Sequence, residues 1–397
     1  MMVRSAVTIT GVTIGRPRSA VHGPESRTPN PEPRIPDPGS RGPSPAWQER
    51  GAAPGIPRVA PSSASAENVR VPSVPRVALL PFLAVVGLVA TLGAQAGDME
   101  TLPVRGQVSM ISAGGVNVLV QVGSQGVLVV DTMAESQSDR LLAAIRALAG
   151  SRPIRYIVNT HAHPEFVGGN LKVAAAGAQL VAGNFAGQVG QGAVEGVVSQ
   201  AFVVAHENVL KAMSAPTGNQ PPTPFGAWPT ETFFQDEKTL YFNGEGIELA
   251  HIKNASTDGD VLVFFRSSDV IAAGDIYNTL GYPRIDVARG GGVSGVIEGL
   301  NRLIDIAISE QFTEGGTRIV PGRGRISDEF DVVEYRDMVT IVRDRVASMI
   351  KKGRTLAQVQ AARPTIDWEP RYGSSSGPWT TAMFVEAVYR SLSSAGK

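Results

Sequence analysis

One stretch, Tyr156-Ile-Val-Asn-Thr-His161-Ala-His163-Pro-Glu165-Phe166-Val-Gly168-Gly169-Asn170, constrains this chain more than any other. An apolar run at 156–158 gives way to two histidines with one residue between them, then to a glycine pair. The run reads as a buried strand and the glycines as the turn that opens a helix. Two histidines at a strand's carboxyl end can aim their imidazoles at one point, and neutral imidazole is the commonest metal ligand. Open α/β sheets carry their sites just outside that end. The stretch therefore predicts an α/β fold with the first half of a metal site.

Cysteine is absent from the 397 residues, which excludes disulfides, thiolate ligands and cysteine nucleophiles. A metal must then use histidine and carboxylates. The five histidines are His22, His161, His163, His206 and His251. Formal net charge is zero, so no basic footprint for nucleic acid exists. The expected partner is a small-molecule substrate or ligand, with any membrane contact limited to one apolar segment described below. No Gly-x-Ser-x-Gly elbow occurs. Ser348-Met-Ile-Lys351 matches Ser-x-x-Lys only formally, within an amphipathic helical stretch and without its partner motifs.

Residues 1–76 hold half of the chain's 28 prolines, many arginines and few large apolar residues. Such a segment cannot bury enough surface to offset ordering entropy, so disorder is expected there, His22 included. Residues 77–96 pair a basic flank and an apolar middle with Ala94-Gln95-Ala96, the pattern of a signal peptide. Its internal position suggests that residues 1 to about 70 are an over-extended gene start. Export to the periplasm or beyond follows, with membrane anchoring through 77–96 as the alternative.

Residues 97–325 read as the folded domain and 326–397 as a helical extension. Apolar β-branched runs at 116–122 and 127–130 flank a Gly-Ser-Gln-Gly turn and predict a hairpin. Ser136 or Ser138 is placed to cap a helix with Leu141, Leu142, Ile145 and Leu148 on its apolar face. A short strand is expected at 179–182, and a long loop with one helix near 206–213. A second half repeats the theme: strands at 240–242, 247–252, 261–265 and 270–272, a helix at 296–308, and a strand at 318–320. Helices at 328–352, 356–362 and 380–392 complete the tail, with Trp379, Phe384, Val388 and Leu392 as apolar anchors. His206 is read as a cap or packing residue, His251 as a strand residue, and Asp258 and Asp260 as turn-holding carboxylates.

The histidine stretch resembles the signature of the metallo-β-lactamase superfamily, His-x-His-x-Asp-His followed by Gly-Gly. His161, His163, Gly168 and Gly169 match; Glu165 stands at the Asp position and Phe166 at the third His. Asn254-Ala-Ser256-Thr-Asp-Gly-Asp260 resembles a later motif, with Ser256 at its histidine. Ala273-Gly-Asp275 matches the motif of the metal-bridging Asp, and Pro321-Gly-Arg323-Gly324 carries Arg323 at the last His. The resemblance implies a four-layer αββα sandwich, metal-assisted hydrolysis, and Asp131 as a residue that orients the histidine loop. It implies a metal set of His161, His163 and Asp275, weak or vestigial, for zinc or iron, with one ion at most or none. The degenerate positions are Glu165, Phe166, Ser256 and Arg323.

Arginine is never deprotonated in proteins, so Arg323 brings a permanent cation to where a second metal would stand. It is expected to pair with Asp275 or Glu165, and Glu165 is the candidate general base. The expected function is a hydrolase of a small ester, amide or phosphoester. The alternative is a non-catalytic member that binds a ligand or protein partner.

Overall fold

Strand faces alternate, so each apolar run must satisfy two layers at once. The structure, a computed structural model, describes residues 99–178, 200–216, 221–312 and 315–394. The expectations for 1–76, 77–96 and the strand at 179–182 lie outside them.

The first sheet opens as an antiparallel meander of β1 (Glu100–Arg105), β2 (Val108–Ala113), β3 (Val116–Gly123) and β4 (Gly126–Val130). It continues in parallel through β5 (Ile154–Val158), β6 (Phe202–His206) and β7 (Glu231–Phe233). The second sheet comprises β8 (Glu237–Phe242), β9 (Glu245–Ile252), β10 (Asp260–Phe265), β11 (Val270–Ala272) and β12 (Arg318–Val320). Its neighbours are antiparallel except β11 and β12, which run parallel. Asn243 and Gly244 join β8 to β9 with φ of 52° and 83°. Positive φ at both central residues matches the right-handed twist of the strands it connects, which is why Asn-Gly closes this hairpin.

The period-two pattern can be followed residue by residue. Val118, Val120, Val127 and Val129 face the helices, while Leu119, Leu128 and Val130 face the other sheet. In the second sheet Ile247, Leu249, Val261 and Val263 meet them, and Ala250, Ile252 and Leu262 face outward. A one-residue slip would exchange these sets, so burial fixes the register.

α1 (Ser138–Ala149) and α3 (Asn170–Ala175) cover the first sheet, with the single turn α2 (Pro164–Val167) between them in sequence. α4 (Glu207–Ser214) follows β6. α5 (Val293–Ile306), α6 (Glu329–Lys351), α7 (Leu356–Ala361), α8 (Glu369–Tyr372) and α9 (Thr381–Ser394) belong to the second sheet's outer side. Two sheets face to face with helices outside make the αββα sandwich. Phe384 and Val388 are fully buried in the outer layer, with Trp379 and Leu392 half-buried against it. Ser138 does not cap α1 as its position suggested; its hydroxyl donates back to the Glu135 carbonyl at 2.7 Å, because a 3-10 turn at Glu135–Gln137 precedes the helix. His206 does cap α4, its Nδ1 accepting from Asn208 N at 3.3 Å.

Candidate metal centre

Carboxyl ends of neighbouring strands bring the site together. The chain leaving β4 supplies Asp131, that leaving β5 supplies His161 and His163, and those leaving β11 and β12 supply Asp275 and Arg323. Asp131 holds φ of 65°, unusual for a residue other than glycine, and strain of this kind concentrates at functional sites. Gly274 has φ of 51°, and a Cβ there would come within 2.8 Å of Thr160 Oγ1. Glycine lets the β11 loop approach the histidine loop closely enough for Asp275 to reach it.

His161 Nε2 lies 3.5 Å from Asp275 Oδ2, and His163 Nδ1 lies 3.4 Å from the same oxygen. All three ligand atoms fall within 4.8 Å of one another, and all three residues are buried. Ligands held tetrahedrally about 2.1 Å from zinc sit roughly 3.4 Å apart, so the spacing suits an ion.

Protons on the far sides of the rings set what the near sides can do. Thr160 Oγ1 donates to Asp131 Oδ2 at 2.7 Å, and the Thr160 N–H donates to Asp131 Oδ1 at 2.8 Å. With Asp131 ionised, that hydroxyl proton is committed and Thr160 Oγ1 accepts from His161 Nδ1, 2.9 Å away. His161 Nε2 is then a bare lone pair. On His163, Nε2 lies 3.3 Å from Asp286 Oδ2 and donates to it, which leaves Nδ1 bare. His161 Nε2, His163 Nδ1 and Asp275 Oδ2 are all buried without a hydrogen-bond partner. Three acceptors facing one another demand positive charge, which a metal ion or protons can supply. Burial alone would lower the His163 pKa, but the facing carboxylates of Asp275 and Asp286 outweigh it and hold it above the ordinary value.

Arg323 occupies the other side of Asp275. Its Nε donates to Asp275 Oδ1 at 3.1 Å, and one Nη reaches Glu165 Oε1 at 3.5 Å. Asp275 divides its oxygens: Oδ1 takes the guanidinium and Oδ2 faces the histidines. Burial would raise the Asp275 pKa, yet Arg323 and the two histidines hold it well below the carboxylate range. Phe166 is fully buried; its ring centroid lies 4.4 Å from that of His161 and 5.0 Å below Arg323 Cζ. An apolar ring fills the volume of a third imidazole and carries the guanidinium on its face.

Glu165 also receives Arg284; burial would raise its carboxyl, but the Arg284 guanidinium, its own backbone N–H and the charge of His163 hold it below its usual range. A carboxylate so committed is a weak proton acceptor, and its place suits setting the charge of the cleft better than acting as general base. Ser256 is fully buried with an unpartnered hydroxyl, while its carbonyl accepts from the Asp286 N–H at 2.8 Å. Through that bond its loop holds the partner of His163. His206 and His251 lie apart from the ligand set, their rings stacked at 3.6 Å. Asp260 accepts from the Thr257 hydroxyl at 2.8 Å, and Asp258 from Asn208 at 3.0 Å, so both hold the turn.

Thr160, Asp286 and Arg284 escaped the sequence reading. The last two sit in the irregular stretch after Asp275, where no periodicity points to a role. Their only trace is a charged pair flanking Ile285, which is buried. A cleft of about 350 Å³ opens beside Glu165, Arg284 and Arg323, walled across by Ser376, Trp379 and Thr380 of the extension.

Comparison with solved structures gives distant likenesses. A double mutant of the sec-alkyl sulfatase PisA1 is 13% identical at a TM-score of 0.50, over 74% of this chain and 50% of that one. The sec-alkylsulfatase Pisa1 from Pseudomonas sp. gives 13% and 0.49 over the same shares. A metallo-beta-lactamase from Pontibacter korlensis gives 17% and 0.44, over 61% of this chain and 99% of that one. The chain thus spans about half the length of the sulfatase structures, and identities this low speak to fold alone. No curated protein sequence matches the chain. The family model of the metallo-beta-lactamase superfamily matches residues 111–313, more than half the chain, across both sheets and every ligand position up to Asp275. With its αββα sandwich and its strand-end histidines, the chain belongs to the metallo-beta-lactamase superfamily.

Proposed function

We propose that the chain is a hydrolase that works with a single divalent cation, zinc or iron(II), held by His161 Nε2, His163 Nδ1 and Asp275 Oδ2. The observation that carries this reading is the convergence of three buried, unpartnered acceptors at ligand spacing. Two histidines and one carboxylate suit either metal and leave a position open. When bound, the ion supplies a Lewis acid and a water of lowered pKa. The protein's own residues do the rest. Thr160 and Asp286 fix the ring tautomers, and Arg323 supplies the fixed charge that a second ion would bring. The adjoining cleft admits a small ester, amide or phosphoester. The apolar segment at 77–96 supports an exported enzyme.

A second reading, ligand binding without turnover, draws support from the Arg323–Asp275 contact, which withdraws electron density from a ligand carboxylate. One experiment separates them. Elemental analysis of the full chain should find about one zinc or iron per molecule, abolished in His161→Ala. A chain that takes up neither metal on incubation ends the hydrolase reading and leaves the second.

A further inference from the structure

Arg284 and Arg323 converge on one oxygen, Glu165 Oε1. Among the described residues Glu165 is the only acidic one lining the adjoining cleft, where it is shared by Arg284 and by Arg323, which also pairs with Asp275 behind it. All three side chains are partly exposed, at 34% for Glu165, 29% for Arg284 and 21% for Arg323. Each guanidinium offers five N–H donors in a planar fork matched to oxyanions. Among the described residues Arg284 donates only to Glu165, and Arg323 only to Glu165 and Asp275. Donors are therefore left over on the cleft side of the pair. Stacking over Phe166 holds the Arg323 plane before any ligand arrives. Trp379 of the extension lines the same cleft, and its indole N–H is buried and without an acceptor. A buried donor left unpaired is costly, which makes it a marker of a missing acceptor.

We propose that this cleft binds a compact oxyanion, the carboxylate, sulfate or phosphate group of the substrate, between Arg284 and Arg323 with Trp379 Nε1–H as a further donor. This deepens the hydrolase reading, on which it rests for the reaction, by making the substrate an anion. A cationic ligand would meet two guanidinium groups, and a neutral one would leave their surplus donors unanswered. Glu165 acts as a resident anion that keeps the pair in place while the cleft is empty and competes with the ligand. The helical extension enters the function here, because Trp379 lies just before α9.

The test titrates inorganic sulfate, inorganic phosphate and acetate into the full chain at constant ionic strength, by calorimetry and tryptophan fluorescence. A chelator is present, so that binding to metal plays no part. Saturable binding of at least one anion is expected, and the tightest of the three identifies the acidic group. Arg284→Gln should weaken it at least about tenfold, as loss of a charge-assisted contact does. Trp379→Phe, which keeps the ring and removes the N–H, should weaken it by about threefold to tenfold. Glu165→Gln should tighten it, a direction that general damage to the fold does not produce. No saturable binding of any anion, or equal binding by wild type and a folded Arg284→Gln, overturns the inference. Metal retained without anion binding sinks this proposal alone; anion binding without metal sinks only the hydrolase reading.

Discussion

Thr160 does the work at the residue scale that two ring nitrogens depend on. Its hydroxyl joins Asp131 to His161 and thereby leaves Nε2 free to ligate. Asp131 is fully enclosed, and burial pushes its pKa up to about 8 despite the two hydrogen bonds from Thr160 that oppose the rise. Removing the hydroxyl would free His161 to adopt the other tautomer and strand one Asp131 oxygen. Thr160→Val is therefore expected to lose about 10–100-fold in metal affinity, as loss of a ligand's orienting partner does, while Thr160→Ser keeps it. Competition against a chromogenic chelator reads both; equal affinity in Thr160→Val would remove the tautomer argument. His161, His163, Asp275 and Arg323 were legible because each sits in a short motif next to glycine. Thr160 lay within the motif but carried no signal, since a hydroxyl reveals its role only through the atoms on either side. Asp286 comes from 123 residues beyond His163, a pairing that only the folded chain can show.

Elements were legible where one face had to be apolar. β3, β4, β9 and β10 read as largely apolar runs because a layer claims each of their faces, and α5 and α9 carry apolar stripes because one layer claims one face. β1 and β7 left no such mark: β1 is largely exposed along its length, and β7 has three residues. Sequence patterning also could not say where the extension docks. The contact that answers is Phe384 of α9 stacked on Tyr282, ring centroids 4.6 Å apart and nearly parallel. Tyr282 stands two residues before Arg284, so α9 buttresses the segment that walls the cleft. Phe384→Ala should cost about 3–5 kcal/mol, the range for a fully buried phenylalanine. It should also weaken anion binding, because the Arg284 segment loses its support. Urea denaturation with the anion titration checks both halves, and a destabilised variant with unchanged anion affinity would detach α9 from the site.

Across the whole molecule the two sheets meet at a second histidine pair, away from the metal centre. His206 ends β6 in the first sheet and His251 lies in β9 of the second, with ring planes 10° apart. Burial, and then the neighbouring His251, lower the His206 pKa to about 4. Glu207 and Asp258 and a hydrogen bond to the Phe234 backbone pull the other way without prevailing. The unfolded chain protonates this imidazole near pH 6.5, so between about 6.5 and 4 it binds more protons than the folded chain. Stability from keeping His206 neutral is fully present above pH 6.5 and is lost as pH falls through that window. Other groups bend the wild-type curve as well, since burial raises Asp260 to about 6 and favours the fold in the opposite sense. The difference between proteins isolates the pair. His206→Asn keeps a capping oxygen for α4 and removes the titration. Wild type should lose about 1–2 kcal/mol more than His206→Asn between pH 7 and pH 4.5, allowing for solvent screening at the site. Chemical denaturation at the two pH values gives the four numbers required. Equal losses in both proteins would mean that the sheets hold together without regard to this imidazole's charge.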